Sequence, residues 1–245
     1  MIRVVALAVK RPALSGLDPR PINGVLSQRP FLMSEAARFN MIEAQIRSSN
    51  VTNPRILAAM SAVARENFVP SAMRALAYAD VPVGIAQGRY LLDPRSFAKL
   101  LQLAQVKPKD RVLDVGCGTG YSAAVLARLA GEVIALEQDA DLVRIASELL
   151  ANIVGKVELV QGGLIEGVKN HAPFDVIFVN GAIEQVPDIL LGQLAEGGRL
   201  VTVLKDGQSR AWLFLKENGK IGKRPDFDAD VPLLAGFKKA MGFVF

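Results

Sequence analysis

The sequence predicts an α/β fold, a doubly wound and mostly parallel sheet with a helical addition at its N-terminal side and an antiparallel strand pair at its end. From residue 107 onwards, short apolar segments alternate with amphipathic ones, which is typical of parallel strands joined by crossover helices. One apolar segment enters a glycine-rich turn that a helical pattern follows at once. With 245 residues, 51% of them hydrophobic, the chain has enough apolar surface for a substantial core.

The first orderly element is a helix that begins near residue 34. Ser34 is a suitable N-cap, and the helix should extend through Arg47. Phe39, Ile42 and Ile46 are spaced so that they share one helical face, which we expect to be buried.

Prolines mark the next two helices. Pro54 is suited to open a second helix that ends before Pro70, and a third helix should begin after Pro94 and include Ala104. The segment between them, Val81–Asp93, is rich in proline and glycine and is predicted to be a loop. Residues 34–106 therefore form one helical region, distinct from residues 107–245.

The region 107–245 supplies the sheet. The predicted strands are Arg111–Val115, Val133–Glu137, Val157–Gln161, Val176–Asn180 and Arg199–Val203. The predicted helices are Tyr121–Ala130, Ala140–Ile153 and Val186–Ala195. Two further strand-like segments, Ala211–Lys216 and Phe243–Phe245, are predicted to close the sheet as an antiparallel pair.

The net charge of +5 is concentrated at the start of the chain. Residues 1–33 contain five basic residues and one acidic residue, so the remainder is nearly neutral and does not favour a nucleic-acid surface. Proline and glycine interrupt this leader, which we interpret as a disordered basic arm or as the product of a translation start assigned upstream of Met33. A transit peptide is a third interpretation.

Cysteine and histidine usage excludes several kinds of site. Cys117 and His171 are the single residues of their types, so we expect neither an intramolecular disulfide nor a metal centre. No stretch of about 18 uncharged apolar residues suggests a membrane span. We therefore expect a cytoplasmic protein that binds neither membranes nor nucleic acid.

The strongest chemical signal is the turn after the first predicted strand of the sheet. Gly116, Gly118 and Gly120 form the pattern G-x-G-x-G, whereas the dinucleotide-binding fingerprint is G-x-G-x-x-G. Asp114 precedes the glycines at the strand end, where its carboxylate suits the ammonium of a methionine moiety and would repel a pyrophosphate. The pattern thus favours S-adenosylmethionine (SAM) as cofactor.

A second acidic residue supports this assignment. Glu137 ends the next predicted strand, 21 residues after Gly116, where a carboxylate can accept hydrogen bonds from both ribose hydroxyls. Thr119 and Tyr121 border the last glycine and are further candidate cofactor-binding residues, whereas Cys117 suits the turn by its small size.

Several motifs together resemble the protein L-isoaspartyl (D-aspartyl) O-methyltransferases. They are residues 41–47 (MIEAQIR), 55–60 (RILAAM), 65–70 (RENFVP), 77–80 (AYAD), 172–175 (APFD) and 193–200 (QLAEGGRL). The resemblance implies a class I, Rossmann-like SAM-dependent methyltransferase that acts in protein repair. It also implies that residues 34–106 lie on the substrate side, that residues 107–245 form the SAM-binding domain, and that the acceptor is a protein or peptide carboxylate.

Two segments depart from the family pattern. Where the family has G-Q-T-I-S-Q-P, residues 88–94, here named the acceptor loop, read G-R-Y-L-L-D-P, so that Leu92 replaces the family serine at the reacting carboxylate. Arg89 and Tyr90 are candidates for holding an acceptor carboxylate, the alternative being solvated loop residues. The family's Asp-Gly pair near the adenine is Gly163-Leu164 here, and Gly163 is carried over as a cofactor-site position.

Methylation of a carboxylate requires no general base, because the acceptor is already ionised at neutral pH; the site has to align the reactants and exclude water. His171 is accordingly interpreted as a surface residue. Two alternatives remain open, a small-molecule methyltransferase and a non-catalytic SAM-binding module. An amino-methyltransferase of nucleic acids is disfavoured because residues 180–183 (NGAI) lack its Pro-Pro-aromatic turn. The acceptor, the oligomeric state and the true start are not determined by the sequence.

Overall fold

The computed structural model describes residues 34–153 and 155–237, and its centre is a seven-stranded sheet. The strands are β1 (Val83–Ala86), β2 (Arg89–Leu91), β3 (Arg111–Val115), β4 (Glu132–Glu137), β5 (Val157–Gln161), β6 (Phe174–Ile183), β7 (Leu194–Asp206), β8 (Gln208–Glu217) and β9 (Lys220–Asp228). The sheet order is β5-β4-β3-β6-β7-β8-β9, and β1 and β2 form a separate hairpin. The strands from β5 to β7 are parallel, whereas β8 and β9 are antiparallel.

Apolar residues on both faces explain why the central parallel strands are buried. Leu113 is paired with Ile134 on one side and with Ile177 on the other, and all three are fully buried in one hydrophobic cluster. The adjacent Val112 belongs to a second cluster on the opposite face. Both faces are therefore covered, which confirms the predicted doubly wound α/β class.

The helices lie largely where the sequence places them. They are α1 (residues 34–49), α2 (Pro54–Ala62), α3 (Pro94–Ala104), α4 (Tyr121–Leu126), α5 (Ala140–Leu150) and α6 (Asp188–Leu191), with 3-10 turns at Arg65–Phe68, Ser71–Leu76 and Lys169–His171. The helices α4, α5 and α6 are shorter than predicted, and β6 and β7 are longer. No helix in the described part of the chain has the length and apolarity needed to cross a membrane.

The predicted buried face of α1 is partly wrong. Ile42 and Ile46 are buried, but Phe39 is 64% exposed and Met41 is buried in its place. The segment Met41–Ile46 is a π-helical turn, whose hydrogen bonds join residues five apart. This wider turn brings Met41 onto the face of Ile46 and leaves Phe39 facing solvent.

The predicted loop Val81–Asp93 contains the hairpin of β1 and β2. Val83 is paired with Leu91, both are buried, and Gly88 provides a positive φ of 67° at the turn. The two strands have only four and three residues, which is too short for an alternating pattern to stand out from the surrounding proline and glycine.

The antiparallel end of the sheet is confirmed, but with a different partner strand. The segment predicted as Ala211–Lys216 forms β8, which pairs with β7 and with β9. The strand β9 is polar and exposed, so an apolar pattern does not reveal it. The predicted strand Phe243–Phe245 and the leader, residues 1–33, lie outside the described residues.

Candidate active site at the carboxyl edge of the sheet

The strand order locates the site. The strands β4 and β5 lie on one side of β3, and β6 and β7 lie on the other, so the order reverses between β3 and β6. Ligands of open α/β sheets bind at such a switch point, beyond the carboxyl ends of the strands. Asp114 of β3 and Asn180 of β6 meet there, with Asn180 Nδ2 donating to Asp114 Oδ1 at 2.5 Å.

The glycine turn, residues 116–120, adopts a conformation that requires its glycines. Gly116, Gly118 and Gly120 have φ values of 75°, 59° and 97°. The backbone N–H groups of Gly116 and Cys117 both donate to the Leu136 carbonyl of β4, at 2.9 and 3.2 Å. The turn is therefore fixed to the strand that carries Glu137.

Asp114 is fully buried and titrates near neutrality. Burial raises the pKa of its carboxyl to about 7, and the nearby Glu137 charge adds to the rise. Ser122 Oγ donates to Asp114 Oδ2 at 2.7 Å, and this bond and the one from Asn180 oppose the rise by stabilising the carboxylate. Sequence reasoning missed Ser122 and Asn180, although a polar residue at the end of the predicted strand Val176–Asn180 was a detectable signal.

Glu137 is also fully buried, and main-chain donors surround its carboxylate. The N–H of Gly118 donates to Oε2 at 2.8 Å, and those of Gln138 and Asp139 donate to Oε1 at 2.8 and 3.1 Å. The side chain thus links the glycine turn to the start of α5 and is held in one orientation.

Arg89 lies on Glu137. Its guanidinium makes a two-pronged ion pair, with Nη2 2.6 Å from Glu137 Oε2 and Nη1 bonded to Oε1. Arg89 is 5% exposed, so this is a buried pair between the hairpin and the main sheet. The sequence placed Arg89 in the acceptor loop, and the structure brings it to Glu137, the carboxylate predicted to bind the ribose.

The other two acceptor-loop candidates, Tyr90 and Leu92, differ in their exposure to solvent. Tyr90 is 43% exposed, whereas Leu92 is buried and its carbonyl accepts a hydrogen bond from Arg65 Nη2. A cavity of about 10 Å³, room for one water, lies between the acceptor loop and the glycine turn. Its lining includes Tyr90, Leu92, Cys117 and Asn180. The structure therefore places the acceptor loop directly against the glycine turn.

Two buried polar side chains lie beside this cavity: Tyr121, which the sequence predicts as a cofactor-site residue, and Arg65, which it does not. Arg65 is fully buried, donates from Nε to the Ala77 carbonyl at 2.6 Å and lies over the Tyr121 ring at 4.9 Å. Among the described residues, Arg65 Nη1 and Tyr121 Oη have no hydrogen-bond partner. Burial lowers the pKa of Arg65, while Tyr121 and Asp93 act in the opposite direction.

The far end of the site is an open cavity of about 390 Å³ beyond β4 and β5. Leu136, Val160, Gly163 and Glu166 are among its lining residues. The Cγ of Glu166 is 3.4 Å from where a Cβ at Gly163 would lie. A carboxylate three residues further along the chain therefore lies close to the position where the family pattern has an aspartate, which the sequence comparison did not show.

The remaining candidates have structural partners. Cys117 is 2% exposed, and burial raises the pKa of its thiol well above the usual value, as expected for a small packing residue. Thr119 Oγ1 donates to the Phe68 carbonyl at 2.6 Å, which ties the glycine turn to the helical region. His171 Nε2 is 3.0 Å from Glu158 Oε1 and away from the site.

The donor set fits an S-adenosyl group, and the hairpin packs against the glycine turn. Two buried carboxylates flank a glycine turn, as a cationic amino acid joined to a ribose requires. A Cβ at Gly118 would be 2.5 Å from Ile85 Cδ1 of the hairpin, and one at Gly116 would be 3.1 Å from Leu234. Ile85 and Leu234 therefore pack closely on the glycine turn, beside the Arg89–Glu137 pair.

Comparison with known proteins agrees with this geometry. A family model described as Protein-L-isoaspartate(D-aspartate) O-methyltransferase (PCMT) matches residues 36–229. The chain is 39% identical over 207 residues to the protein-L-isoaspartate O-methyltransferase of Methylorubrum populi, covering 83% of this chain and 98% of that one. A solved protein-L-isoaspartate O-methyltransferase aligns with a TM-score of 0.70 and 26% identity, over 82% of this chain and 67% of that one. A Plasmodium falciparum chain assigned to the same class and solved with S-adenosyl-L-homocysteine aligns with a TM-score of 0.69 and 23% identity, over 82% of this chain and 97% of that one.

Proposed function

The chain belongs to the protein-L-isoaspartate(D-aspartate) O-methyltransferase family, and we propose that it transfers a methyl group from SAM to the carboxylate of isoaspartyl residues in proteins or peptides. The observation that carries the proposal is the pair of fully buried carboxylates, Asp114 and Glu137, on either side of the glycine turn. Together they match two polar parts of SAM, the ammonium of its amino acid and the hydroxyls of its ribose.

The cofactor supplies an electrophilic methyl group on a sulfonium centre when it is bound. Asp114 would hold the ammonium of its methionine moiety, and Glu137 would accept hydrogen bonds from its ribose hydroxyls. Glu166 and the backbone at Gly163 line the cavity that suits an adenine, with the Glu166 carboxylate as acceptor for the adenine amine. Thr119 ties the turn to the Phe68 carbonyl, and Tyr121 continues the turn as the first residue of α4.

The chain's own residues are required to position and desolvate the acceptor. An isoaspartyl carboxylate is ionised at neutral pH, so proton removal is not needed. The buried Leu92 packs beside the glycine turn and leaves room for only about one water there. Exclusion of bulk water strengthens the electrostatic interactions of the reacting groups. Tyr90, exposed at the mouth, supplies a hydroxyl that the acceptor can reach, and Arg89 becomes available to the acceptor only when it leaves Glu137.

A small-molecule carboxylate is the second candidate acceptor. It is favoured by the acceptor loop, where Leu92 stands in place of the family serine and is packed rather than exposed. A retained frame with an altered loop is the arrangement expected for an enzyme whose acceptor has changed.

Cytoplasmic location and the absence of nucleic-acid and membrane partners remain predictions.

The direct test is methyl transfer from labelled SAM to an isoaspartyl peptide, with the matched aspartyl peptide as control. We expect a base-labile methyl ester on the isoaspartyl peptide and none on the control. Label in small molecules of a cell extract, without label on the peptide, would favour the second acceptor. A chain that binds SAM but labels neither would be a SAM-binding module without transferase activity.

A further inference from the structure

More hydrogen-bond donors point at the carboxylate of Glu137 than it has lone-pair sites to accept them. Three main-chain N–H groups, from Gly118, Gln138 and Asp139, point at its two oxygens. Arg89 adds two further N–H donors in its two-pronged pair. A carboxylate offers about four lone-pair sites, so the five donors leave none for the two hydroxyls of a ribose.

The donors differ in whether they can leave. The Gly118 N–H belongs to the glycine turn, and those of Gln138 and Asp139 belong to the start of α5, where Asp139 is the N-cap. Moving these main-chain donors would require the glycine turn and the start of α5 to change conformation. Arg89 is on β2, whose ladder bonds run to β1 and not to the seven-stranded sheet. The hairpin can therefore shift without breaking the main sheet.

The hairpin and the Arg89 pair close the same space. Ile85 of β1 lies against Gly118, and Leu234 lies against Gly116 and Gly181. The contacts of Ile85 and Leu234 are apolar and have no preferred direction. The Arg89–Glu137 pair is charged, bidentate and buried. The ion pair is thus the specific contact that holds the closed arrangement.

We propose that Arg89 is a latch on the cofactor site: it competes with the cofactor's ribose for Glu137, and cofactor binding opens the hairpin by displacing it. The inference rests on the proposed function, because it assumes that SAM is the ligand at Glu137. It adds that this chain binds its cofactor more weakly than its donor set allows. It also sets an order, since the Arg89 guanidinium is free for an acceptor carboxylate only after the cofactor has entered.

A latch and a structural ion pair predict opposite results when the arginine is removed. Loss of a structural pair leaves a damaged site, which binds the cofactor more weakly. Loss of a latch removes a competitor, so binding becomes tighter. If the closed form accounts for about nine molecules in ten, its removal tightens the apparent affinity about tenfold.

The experiment is calorimetric titration of S-adenosyl-L-homocysteine into the full chain and into Arg89→Gln, with Arg95→Gln as the control. Arg95 is 54% exposed and pairs with Asp80 outside the site, so its replacement should leave the dissociation constant unchanged. We expect Arg89→Gln to bind about tenfold more tightly, and Arg89→Lys, which keeps the charge but not the fork, to be intermediate. Equal or weaker binding by a folded Arg89→Gln would overturn the latch.

Hydrogen exchange provides a second measurement that does not depend on activity. In the wild type, the amides of residues 83–91 should exchange faster after S-adenosyl-L-homocysteine is added, whereas in Arg89→Gln they should exchange fast from the start. Slower exchange in the wild type on binding would contradict the latch. If neither wild type nor Arg89→Gln binds the ligand, the proposed function fails and the latch with it; equal binding by both refutes the latch alone.

Discussion

The cofactor side and the acceptor side of the site are held by different kinds of contact. On the cofactor side, Glu137 is oriented by three main-chain N–H groups and Asp114 by two neighbouring side chains in the sheet and α4. On the acceptor side, a two-stranded hairpin is held by one buried ion pair and by apolar contacts. Asp114 and Glu137 are therefore fixed by the fold itself, whereas the hairpin end of the acceptor loop, at Arg89, is held by an ion pair that a ligand could replace.

The largest expected effect is on the acceptor side. Replacing Leu92 by Ser restores a hydroxyl at the position of the family serine, and one such donor is worth on the order of 10²–10³ in rate. We expect Leu92→Ser to raise kcat on an isoaspartyl peptide by about 10², with the affinity for SAM unchanged. The measurement is a labelled-methyl assay.

Leu91→Ser is the matched control, since Leu91 is the adjacent buried leucine and pairs with Val83 in the hairpin. It should lower stability without raising activity. If both variants gain activity, loosening of the hairpin and not the hydroxyl is responsible. If the wild type is fully active and Leu92→Ser adds nothing, the role of the acceptor loop is wrong.

A smaller but still large effect is expected on the cofactor side. Asp114→Ala removes the carboxylate that faces the methionine ammonium, and a hydrogen bond to a charged group contributes about 1.5–3 kcal/mol. Titration calorimetry should show SAM binding weakened by that amount. Asp141→Ala, an exposed change on the first turn of α5, should bind as the wild type does, and an unaltered affinity in Asp114→Ala would remove Asp114 from the site.

The same residue makes cofactor binding depend on pH. Since its pKa is raised to about 7 in the free protein, Asp114 is mostly protonated at pH 6 and mostly ionised at pH 8. A cationic ligand favours the ionised form, so affinity should rise with pH and be about tenfold weaker at pH 6 than at pH 8. Asp114→Asn should abolish this dependence between those two values, and a wild-type profile that is equally flat would contradict the assignment.

The smallest effect should come from the adenine end. Glu166→Gln keeps the size of the side chain and an acceptor oxygen but removes the charge. We therefore expect a loss of about 1 kcal/mol in cofactor binding, the difference between a hydrogen bond to a charged and to a neutral acceptor. Glu196→Gln, at an exposed glutamate of β7, is the control. Comparing S-adenosyl-L-homocysteine with its inosine analogue would show whether the loss depends on the adenine amine.

The contrast between residues fixed by the sheet and residues held by the hairpin contacts also explains which parts of the molecule the sequence predicts. The strands Arg111–Val115 and Val157–Gln161 and the positions of Asp114 and Glu137 follow from apolar runs that end in glycine or acid, because local pattern and sheet geometry agree there. The Arg89–Glu137 pair joins residues 48 apart, and no local pattern specifies such a contact. Phe39 was misplaced because a π-turn changes the helical period, a change that the spacing of apolar residues does not reveal.

The polar strand β9 has a consequence for the solubility of the protein. Within residues 34–153 and 155–237 it is the outer strand of a sheet whose last three strands are long. An open strand edge exposes main-chain groups that a second molecule could pair with. Charged side chains favour solvent along β9, and Pro225 removes one main-chain donor; the charged residues are Lys220, Lys223, Arg224, Asp226 and Asp228. The composition that conceals β9 from an apolar pattern therefore protects this edge against strand-to-strand aggregation.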